Sequence, residues 1–414
     1  MKQTVPSDGM AEQVSLKRSI GLVPLVLYGL GVTIGAGIYV LIGETAGRAG
    51  MHAPTAFLVA AIVMAFSAAT FAEFSGRVPQ CAGEASYVSQ GFGLPWLTLA
   101  VGASIIVSAS VAAAAIGLGC AGYIGLLIDA PRPIIASVIL CLMGVLAAWG
   151  IKESIFFAGL LTILEVAGLL AIIAAGFYVN PSLITLVPQT VPSFGDGAAL
   201  ASVLSAGLIA FFAFIGFDDV VNIVEEAKNP AKIMPWAIGI TLAAVTILYF
   251  LVALVALDNL PLGELAASEA PVGLLFERLT GLSPLAITLI AIFATLNGVV
   301  IQIIMASRVA YGLARRGNLP AFLGKVNKVT RTPLIATVLV TAAVLVLALF
   351  VPLNALAEWT SAIILAVFFL VNLALIRVKW RGEPVAEGVF VVPFLVPVIG
   401  AISCLCLLVG SILL

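Results

Sequence analysis

The sequence is poor in charged residues. Asp, Glu, Lys and Arg make up only 9% of its 414 residues, against about 25% in soluble domains, while 62% are hydrophobic. So few charged side chains would not cover the surface of a soluble protein of this length. The mean hydropathy is +1.23. The composition therefore excludes a soluble protein and predicts a polytopic membrane protein.

Histidine and cysteine are also scarce. His52 is the only histidine, and the five cysteines form no CxxC pair. A metal centre needs several convergent ligands, so we expect no metal or other cofactor. The net charge of −1 gives no reason to expect a nucleic-acid partner. Residues 1–20 are polar and lack the apolar core of a signal peptide, so we expect a cytoplasmic N-terminal segment.

Long apolar runs are what the chain does have. A membrane-crossing helix needs about 20 mostly apolar residues. Candidate spans lie at 22–43, 55–75, 95–127, 133–150, 154–179, 198–224, 234–257, 284–312, 333–351, 357–377 and 390–414. We therefore expect an all-α protein with about 11 transmembrane helices.

The basic residues predict the orientation of these spans. With a cytoplasmic N-terminus, all but three of the 19 Lys and Arg residues fall on the cytoplasmic side. The exceptions are Arg48, Arg132 and Arg278. Cytoplasmic loops carry the excess of positive charge. The sequence thus predicts a multi-pass protein of the cell (plasma) membrane.

Two of the candidate helices have unusual centres. In the first, Gly35 and Gly37 lie roughly 20 Å into a core of about 30 Å. Glycine there indicates either close helix packing or a break. A break would begin a new half-helix near Ile38, whose free N–H groups suit a carboxylate. In the sixth, the acidic pair Asp218 and Asp219 predicts a break near Phe214, whose carbonyl groups would suit an ammonium group or a cation.

The two broken helices are five helices apart, so two successive five-helix units would have opposite orientations. Inverted repeats with matching broken helices are typical of secondary transporters. We expect a first repeat at 21–180, a second at 198–378 and an additional helix at 389–414.

Six stretches, spread over nearly the whole chain, match one family in sequence and order. They are IGAGIYV (34–40), AEFSGRVPQCAGEASY (72–87), GIKES (150–154), FIGFDDVVNIVEEAKNPAKIMPWAI (214–238), SRVAYGLARRGNLP (307–320) and RTPLIATV (331–338). In these stretches the chain resembles the amino acid–polyamine–organocation (APC) superfamily, most closely its cationic amino acid transporter-type branch. The resemblance implies a five-plus-five inverted-repeat (LeuT-like) fold that binds substrate between the first and sixth helices.

The resemblance also implies residues for the substrate site. The substrate carboxylate would bind to Ile34, Gly35, Ala36 and Gly37, and its amino group to the main chain of Phe212, Ala213, Phe214 and Ile215. Phe217 would be an aromatic gate, and Asp218 matches the acidic residue that follows this aromatic in the family. Relatives commonly have twelve helices, which differs from the eleven expected here.

Glu165 stands where many proton-coupled or sodium-independent relatives have a lysine. It lies roughly 18 Å into the fifth span, with no charged neighbour on its own helix. Burial disfavours a charged carboxylate, so Glu165 is a candidate for proton coupling. The alternatives are a structural hydrogen bond to the first helix and contact with the ammonium group of the substrate.

Asn297 lies at a similar depth on the eighth candidate helix. The resemblance implies that this part of the helix lies near the fifth helix, so Asn297 could bridge Glu165, or it could form an interhelical hydrogen bond without a transport role. A sodium ion held by these two residues and main-chain carbonyls is a second coupling mechanism. Glu73 and Arg77, one helical turn apart, are predicted to form an ion pair that contributes to an inner gate.

The sequence therefore predicts a secondary active amino acid transporter working by alternating access, proton-coupled or an exchanger. Its substrate would be a neutral or cationic L-amino acid. The alternative is a sodium-coupled amino acid or polyamine transporter. A channel is disfavoured because no repeated filter motif is visible. An enzyme is disfavoured because Asp218 and Asp219 would point about 100° apart on a helix.

Overall fold

The computed structural model describes residues 20–79, 83–149, 155–315 and 317–413. Within these ranges the chain forms α-helices joined by short 3-10 helices and loops, with no β-strand. The α-helices are α1 (Leu22–Ala49), α2 (Ala53–Arg77), α3 (Gly83–Phe92), α4 (Pro95–Gly125), α5 (Arg132–Trp149), α6 (Ile155–Val179), α7 (Val187–Thr190), α8 (Gly197–Phe212), α9 (Pro230–Asn259), α10 (Leu262–Ala267), α11 (Pro271–Thr280), α12 (Leu285–Arg315), α13 (Leu334–Phe350), α14 (Leu353–Trp380) and α15 (Leu395–Leu413). The expected all-α fold is confirmed.

Apolar helices account for most of the chain. By length and composition, 7 segments of the described residues can cross a membrane. Shorter apolar segments accompany them at Leu22–Gly35, Gly197–Phe212, Leu334–Phe350 and Leu395–Gly410. Every span expected from the sequence overlaps one of the helices in these segments, although the span at 198–224 does so only as far as Phe212. A polytopic membrane protein is therefore confirmed, whereas the number of crossings is still a prediction.

The predicted break in the first helix is not observed. α1 is one continuous α-helix over its whole length. Its glycines serve close packing instead. A β-carbon on Gly37 would lie 2.4 Å from Cα of Ala213, and one on Gly31 would lie 2.2 Å from Oγ1 of Thr162. The prediction of a half-helix beginning near Ile38 was therefore wrong, because glycine here lets neighbouring segments approach an uninterrupted helix.

The predicted break in the sixth helix is confirmed. α8 ends at Phe212, residues 213–217 form turns, and a 3-10 helix follows at Asp218–Glu226. Gly216 has a φ of +127°, and a β-carbon there would lie 3.0 Å from the main chain of Val32 in α1. Glycine is the residue that combines such a φ with so close an approach. We call residues 213–217 the break segment.

Helices from the two halves of the chain pack reciprocally. α1 and α2 each contact both α8 and α9, and α4 and α5 each contact both α12 and α13. The contact of α1 with α6 has its counterpart in that of α8 with α14. Reciprocal contacts are what a two-fold relation between two units requires. α15 packs outside this arrangement, against α2, α8 and α14.

Candidate substrate site and its acidic neighbours

The break segment lies against the middle of α1. Gly37 of α1 contacts Ala213 of the break segment so closely that no side chain would fit at the glycine. Tyr249 of α9 is buried beside both, and its hydroxyl oxygen lies 2.8 Å from the Thr33 carbonyl oxygen and 2.9 Å from that of Ala213. A hydroxyl group has one proton, so it donates to one of these carbonyls at a time. The structure thus brings together the two stretches that the sequence assigned to substrate.

The other residues assigned to substrate lie around this contact. Ile34, Phe212 and Phe214 are buried, and Ile215 is half-buried. Gly35 faces α12, because a β-carbon there would lie 3.5 Å from the carbonyl oxygen of Ala294. Ala36 is described as part of α1, but its side chain lies outside the described residues. The candidate site is therefore enclosed by α1, the break segment, α9 and α12.

Phe217, the predicted gate, belongs to a buried aromatic cluster. Its ring lies 5.5 Å from the rings of both Phe71 in α2 and Phe368 in α14, with edge-to-face geometry. Phe71 also packs against Tyr87 of α3. Such contacts add to the free energy of burial. They attach the end of the break segment to α2 and α14, and the gating role is still a prediction.

Glu165 of α6 lies beside α1. Thr162, one turn earlier, faces Gly31, and the Tyr39 hydroxyl donates to the main-chain oxygen of Glu165 at 3.0 Å. The Glu165 residue is only 2% exposed, and neither carboxyl oxygen has a hydrogen-bond partner in the described part of the chain. Buried polar groups are rarely left without partners, so this carboxyl group needs an explanation beyond packing.

The hydrogen bond that would bridge Glu165 and Asn297 is not formed, since within the described part of the chain neither carboxyl oxygen of Glu165 has a partner. Gly168, one turn from Glu165, approaches Ile287 and Ile290 of α12, the helix that also carries Asn297. A role of Asn297 in coupling therefore stays a prediction.

Glu73 of α2 is fully buried and joins three segments. Its carboxylate accepts from Nε of Arg77 at 2.7 Å, from Nζ of Lys379 at 2.7 Å and from the main-chain N–H of Val392 at 2.8 Å. The predicted pair with Arg77 is confirmed. Lys379 was not predicted as a partner of Glu73, because only the packing of α14 against α2 brings it near. This ion cluster anchors α14 and the segment before α15 to α2.

The two ends of the helix bundle carry different features. At the end that carries this ion cluster, Ile20 exchanges main-chain hydrogen bonds with Glu226 and Lys228, at 3.0 and 2.8 Å. The start of α1 is thereby tied to the end of the 3-10 helix. At the opposite end, a cavity of about 480 Å³ begins at Val40, one turn from Gly37. Glu44, Arg132, Ser268, Glu269 and Asn354 contribute its polar lining.

A second, smaller cavity of about 10 Å³ adjoins the break segment. We call it the acidic cavity. Its polar lining consists of Glu84 from α3, Asp218, Asp219, Gln302 from α12, Ser108 from α4 and Thr360 from α14. Asp218 also accepts the N–H of Gly216 at 2.9 Å and so stabilises the break segment.

Glu84 is a further candidate residue of this site that the sequence alone did not single out. It is 5% exposed, and its burial, followed by the nearby charge of Asp218, raises the pKa of its carboxyl group. The available signal was that Glu84 is the only charged residue of α3. The packing of α3 beside the break segment was needed to place it next to Asp218.

Several known proteins are similar to this chain over most of its length. The amino acid permease family matches residues 20–414. The branched-chain amino acid permease BcaP of Bacillus subtilis (strain 168) is 32% identical, over 94% of this chain and 87% of its own length. The mitochondrial cationic amino acid transporter 3 of Arabidopsis thaliana is 29% identical, over 92% and 66%. The methylthioribose transporter of Bacillus subtilis (strain 168) is 29% identical, over 96% and 89%.

Proposed function

Because this chain belongs to the amino acid permease family, whose function is amino acid transport, we propose that it is a secondary active transporter working by alternating access. Its substrate is a neutral or cationic L-amino acid, and its transport is proton-coupled or an exchange. It spans the cell membrane with its N-terminus in the cytoplasm. The observation that carries this proposal is the direct contact between Gly37 and the break segment at Ala213.

In this proposal the substrate binds between α1 and the break segment. The carbonyl groups of 212–215 hold its amino group. The C-terminal end of α8 supports this assignment. Carbonyl groups at a helix C-terminus carry the partial negative charge of the helix dipole, which suits an ammonium group.

Because α1 is continuous in this structure, its N–H groups at Ile34–Gly37 can hold the substrate carboxylate only after α1 opens locally, so the proposal includes that opening on substrate binding. Because Gly37 and Ala213 now touch, substrate binding requires the two stretches to move apart.

Alternating access would use the two ends of the bundle in turn. With a cytoplasmic N-terminus, the hydrogen bonds of Ile20 close the inner end, and the cavity at Val40 faces outward. The reciprocal packing of the two five-helix units supports a rocking motion of one unit against the other. Glu73 and Arg77 would belong to the inner gate, now together with Lys379.

We assign proton coupling to Glu165. Its carboxyl group is buried beside α1 without a hydrogen-bond partner among the described residues, so a proton can be bound or released next to the substrate site. Sodium coupling is the second candidate, because main-chain carbonyls with a carboxylate can hold that ion. In this second candidate, the substrate is an amino acid or a polyamine.

Uptake into proteoliposomes tests the transport function. Gly37→Leu should abolish saturable uptake, because the leucine side chain would enter the space of Ala213. Gly239→Leu is the matched control, since nothing lies within 4 Å of a β-carbon at that glycine. Gel filtration and a thermal melt verify folding of both variants. Full uptake by a folded Gly37→Leu variant would refute the site.

A second assay tests coupling. Glu165→Gln should abolish accumulation driven by a pH gradient but spare exchange, since exchange needs no net proton movement. Glu277→Gln, at an exposed position, is the control for loss of one carboxylate. Accumulation that follows a sodium gradient instead of a pH gradient would favour the second candidate.

A further inference from the structure

The chain between the middle of α12 and the start of α13 carries positive charge without negative charge. Residues 308–331 contain six basic residues and no acidic residue. Five of the basic residues lie in the described part of the chain and are exposed, namely Arg308, Arg315, Lys325, Lys328 and Arg331. None of these five forms an ion pair with a described residue. By contrast, Arg77, Lys379 and Arg381 are each paired with a carboxylate.

Residues 317–333, which we call the basic loop, end in a turn of defined shape. Oδ1 of Asn327 accepts the N–H group of Val329 at 2.8 Å, and its carbonyl oxygen accepts that of Arg331 at 3.0 Å. Arg331 has a φ of +55°, which is uncommon for a residue other than glycine. Lys328, Val329 and Arg331 are all exposed, Val329 by 90%. The turn therefore holds an apolar side chain outward between two cations.

The basic loop lies at the level where the membrane meets water. The Thr332 hydroxyl donates to the carbonyl oxygen of Ala148 at 2.7 Å and so attaches the loop to the end of α5. The next residue of α5, Trp149, is 71% exposed, and exposed tryptophan at a helix end is typical of the membrane–water interface. α13 begins at Leu334, directly after the loop, and its first two turns expose apolar side chains, as a helix that faces lipid does, at Ile335, Val338 and Leu339. The basic loop therefore lies beside lipid headgroups.

Membrane orientation alone does not account for this surface. Positive charge in a loop helps to orient the chain, but that role needs neither a fixed turn nor an exposed apolar tip. An apolar side chain among cations is typical of segments that lie in the interface, where the apolar group enters the acyl region and Lys or Arg binds anionic headgroups. Phe322 and Val326 extend the same surface, with 45% and 46% exposure. A soluble acidic partner would suit the cations but not these apolar side chains.

We propose that the basic loop binds the headgroups of anionic phospholipids in the adjoining leaflet. Lys328 and Arg331 contact the phosphate groups, and Val329 inserts below them. The planar guanidinium group of Arg331 suits two phosphate oxygens, and Lys328 adds a compact charge. The loop connects α12 to α13 and is attached to α5, which packs against both helices, so bound lipid stabilises this part of the bundle. The inference is independent of the proposed transport function.

Thermal midpoints of the protein purified in detergent test the proposal with two lipids that have the same acyl chains. Phosphatidylglycerol is anionic, and phosphatidylcholine is zwitterionic. We expect phosphatidylglycerol to bind at least about tenfold more tightly, measured as the lipid concentration that gives half of the rise in midpoint. This preference should shrink when the ionic strength is raised from about 0.05 to about 0.5 M, because salt screens exposed charges.

Variants assign the preference to named residues. Lys328→Gln combined with Arg331→Asn should reduce it about tenfold, and asparagine is chosen because it adopts a positive φ readily. Lys228→Gln combined with Lys232→Gln is the matched control, because both lysines are exposed but follow Glu225 and Glu226 in the sequence. Val329→Ser should weaken the binding of phosphatidylglycerol and leave its salt dependence unchanged.

Three results would overturn the proposal. The first is equal affinity for the two lipids. The second is an equal loss of preference in the variant at Lys328 and Arg331 and in its control, since this would show that overall charge alone decides. The third is tight binding of a polyglutamate peptide without any lipid preference, which would assign the surface to an acidic protein. If the variant at Lys328 and Arg331 does not fold, Val329→Ser and the salt titration of the wild type decide.

Discussion

The hydroxyl oxygen of Tyr249 lies 2.9 Å from the carbonyl oxygen of Ala213, the first residue after α8. The same hydroxyl lies 2.8 Å from the carbonyl oxygen of Thr33. One side chain of α9 therefore holds the glycine-containing part of α1 against the break segment. Any motion that separates α1 from the break segment has to change these contacts.

Removal of this hydroxyl should loosen the closed site. We expect Tyr249→Phe to lower the free energy of unfolding by about 1 kcal/mol, because one hydrogen bond is lost, and to change the rate of uptake. Thermal melts and initial uptake rates provide the measurement. Tyr178→Phe is the control, since Tyr178 is 89% exposed. Unchanged stability and uptake in Tyr249→Phe would contradict a bridging role.

Gly216 should tolerate no side chain. An alanine there would adopt a φ of +127° and place its β-carbon 3.0 Å from the main chain of Val32. We expect Gly216→Ala to cost about 1–3 kcal/mol and to abolish uptake. Gly281→Ala is the control, because Gly281 also has a positive φ but open space around it. Equal thermal midpoints for the two variants would show that the contact with α1 has no effect.

The buried ion cluster at Glu73 should behave differently from exposed ion pairs. Glu73→Gln leaves Arg77 and Lys379 without their carboxylate and should cost about 3–5 kcal/mol. Glu264→Gln removes only an exposed pair with Arg278 and should cost less than about 1 kcal/mol. Thermal melts provide the comparison.

A double-mutant cycle separates charge compensation from packing in this cluster. The variant that combines Glu73→Gln with Lys379→Met should be more stable than Glu73→Gln alone, because it no longer contains an unpaired lysine. Additive effects of the two substitutions would mean that Glu73 and Lys379 do not interact energetically.

Glu84 should make stability depend on pH. Its pKa is raised in the folded protein by burial and by the charge of Asp218. Its stabilising contribution is therefore complete below the ordinary pKa of glutamate, about 4.3, and is lost as the pH rises through the raised pKa. We expect the ligand-free thermal midpoint to fall with pH less steeply in Glu84→Gln than in the wild type. Glu277→Gln is the control. If the thermal midpoint of Glu84→Gln fell with pH as steeply as that of the wild type and the control, this prediction would be contradicted.

Local sequence features predicted the parts of the molecule that depend on neighbours in the chain. The apolar runs predicted the helices, and the adjacent carboxylates of Asp218 and Asp219 predicted the break after α8. Glu73 and Arg77 are one turn apart, so their ion pair was visible in the spacing. The glycines of α1 were ambiguous, because glycine permits both a break and close packing, and the structure shows packing.

The sequence by itself determined that this is an all-α membrane protein, because charge and hydropathy set the solvent that each segment can enter. It also determined the resemblance that led to the family. Only the tertiary structure placed Glu84 beside Asp218, joined Lys379 to Glu73 and left the Glu165 carboxyl group without a hydrogen-bond partner among the described residues. These relations depend on the heights and faces at which helices from distant parts of the chain meet, and hydrophobic periodicity along one helix carries no information about either.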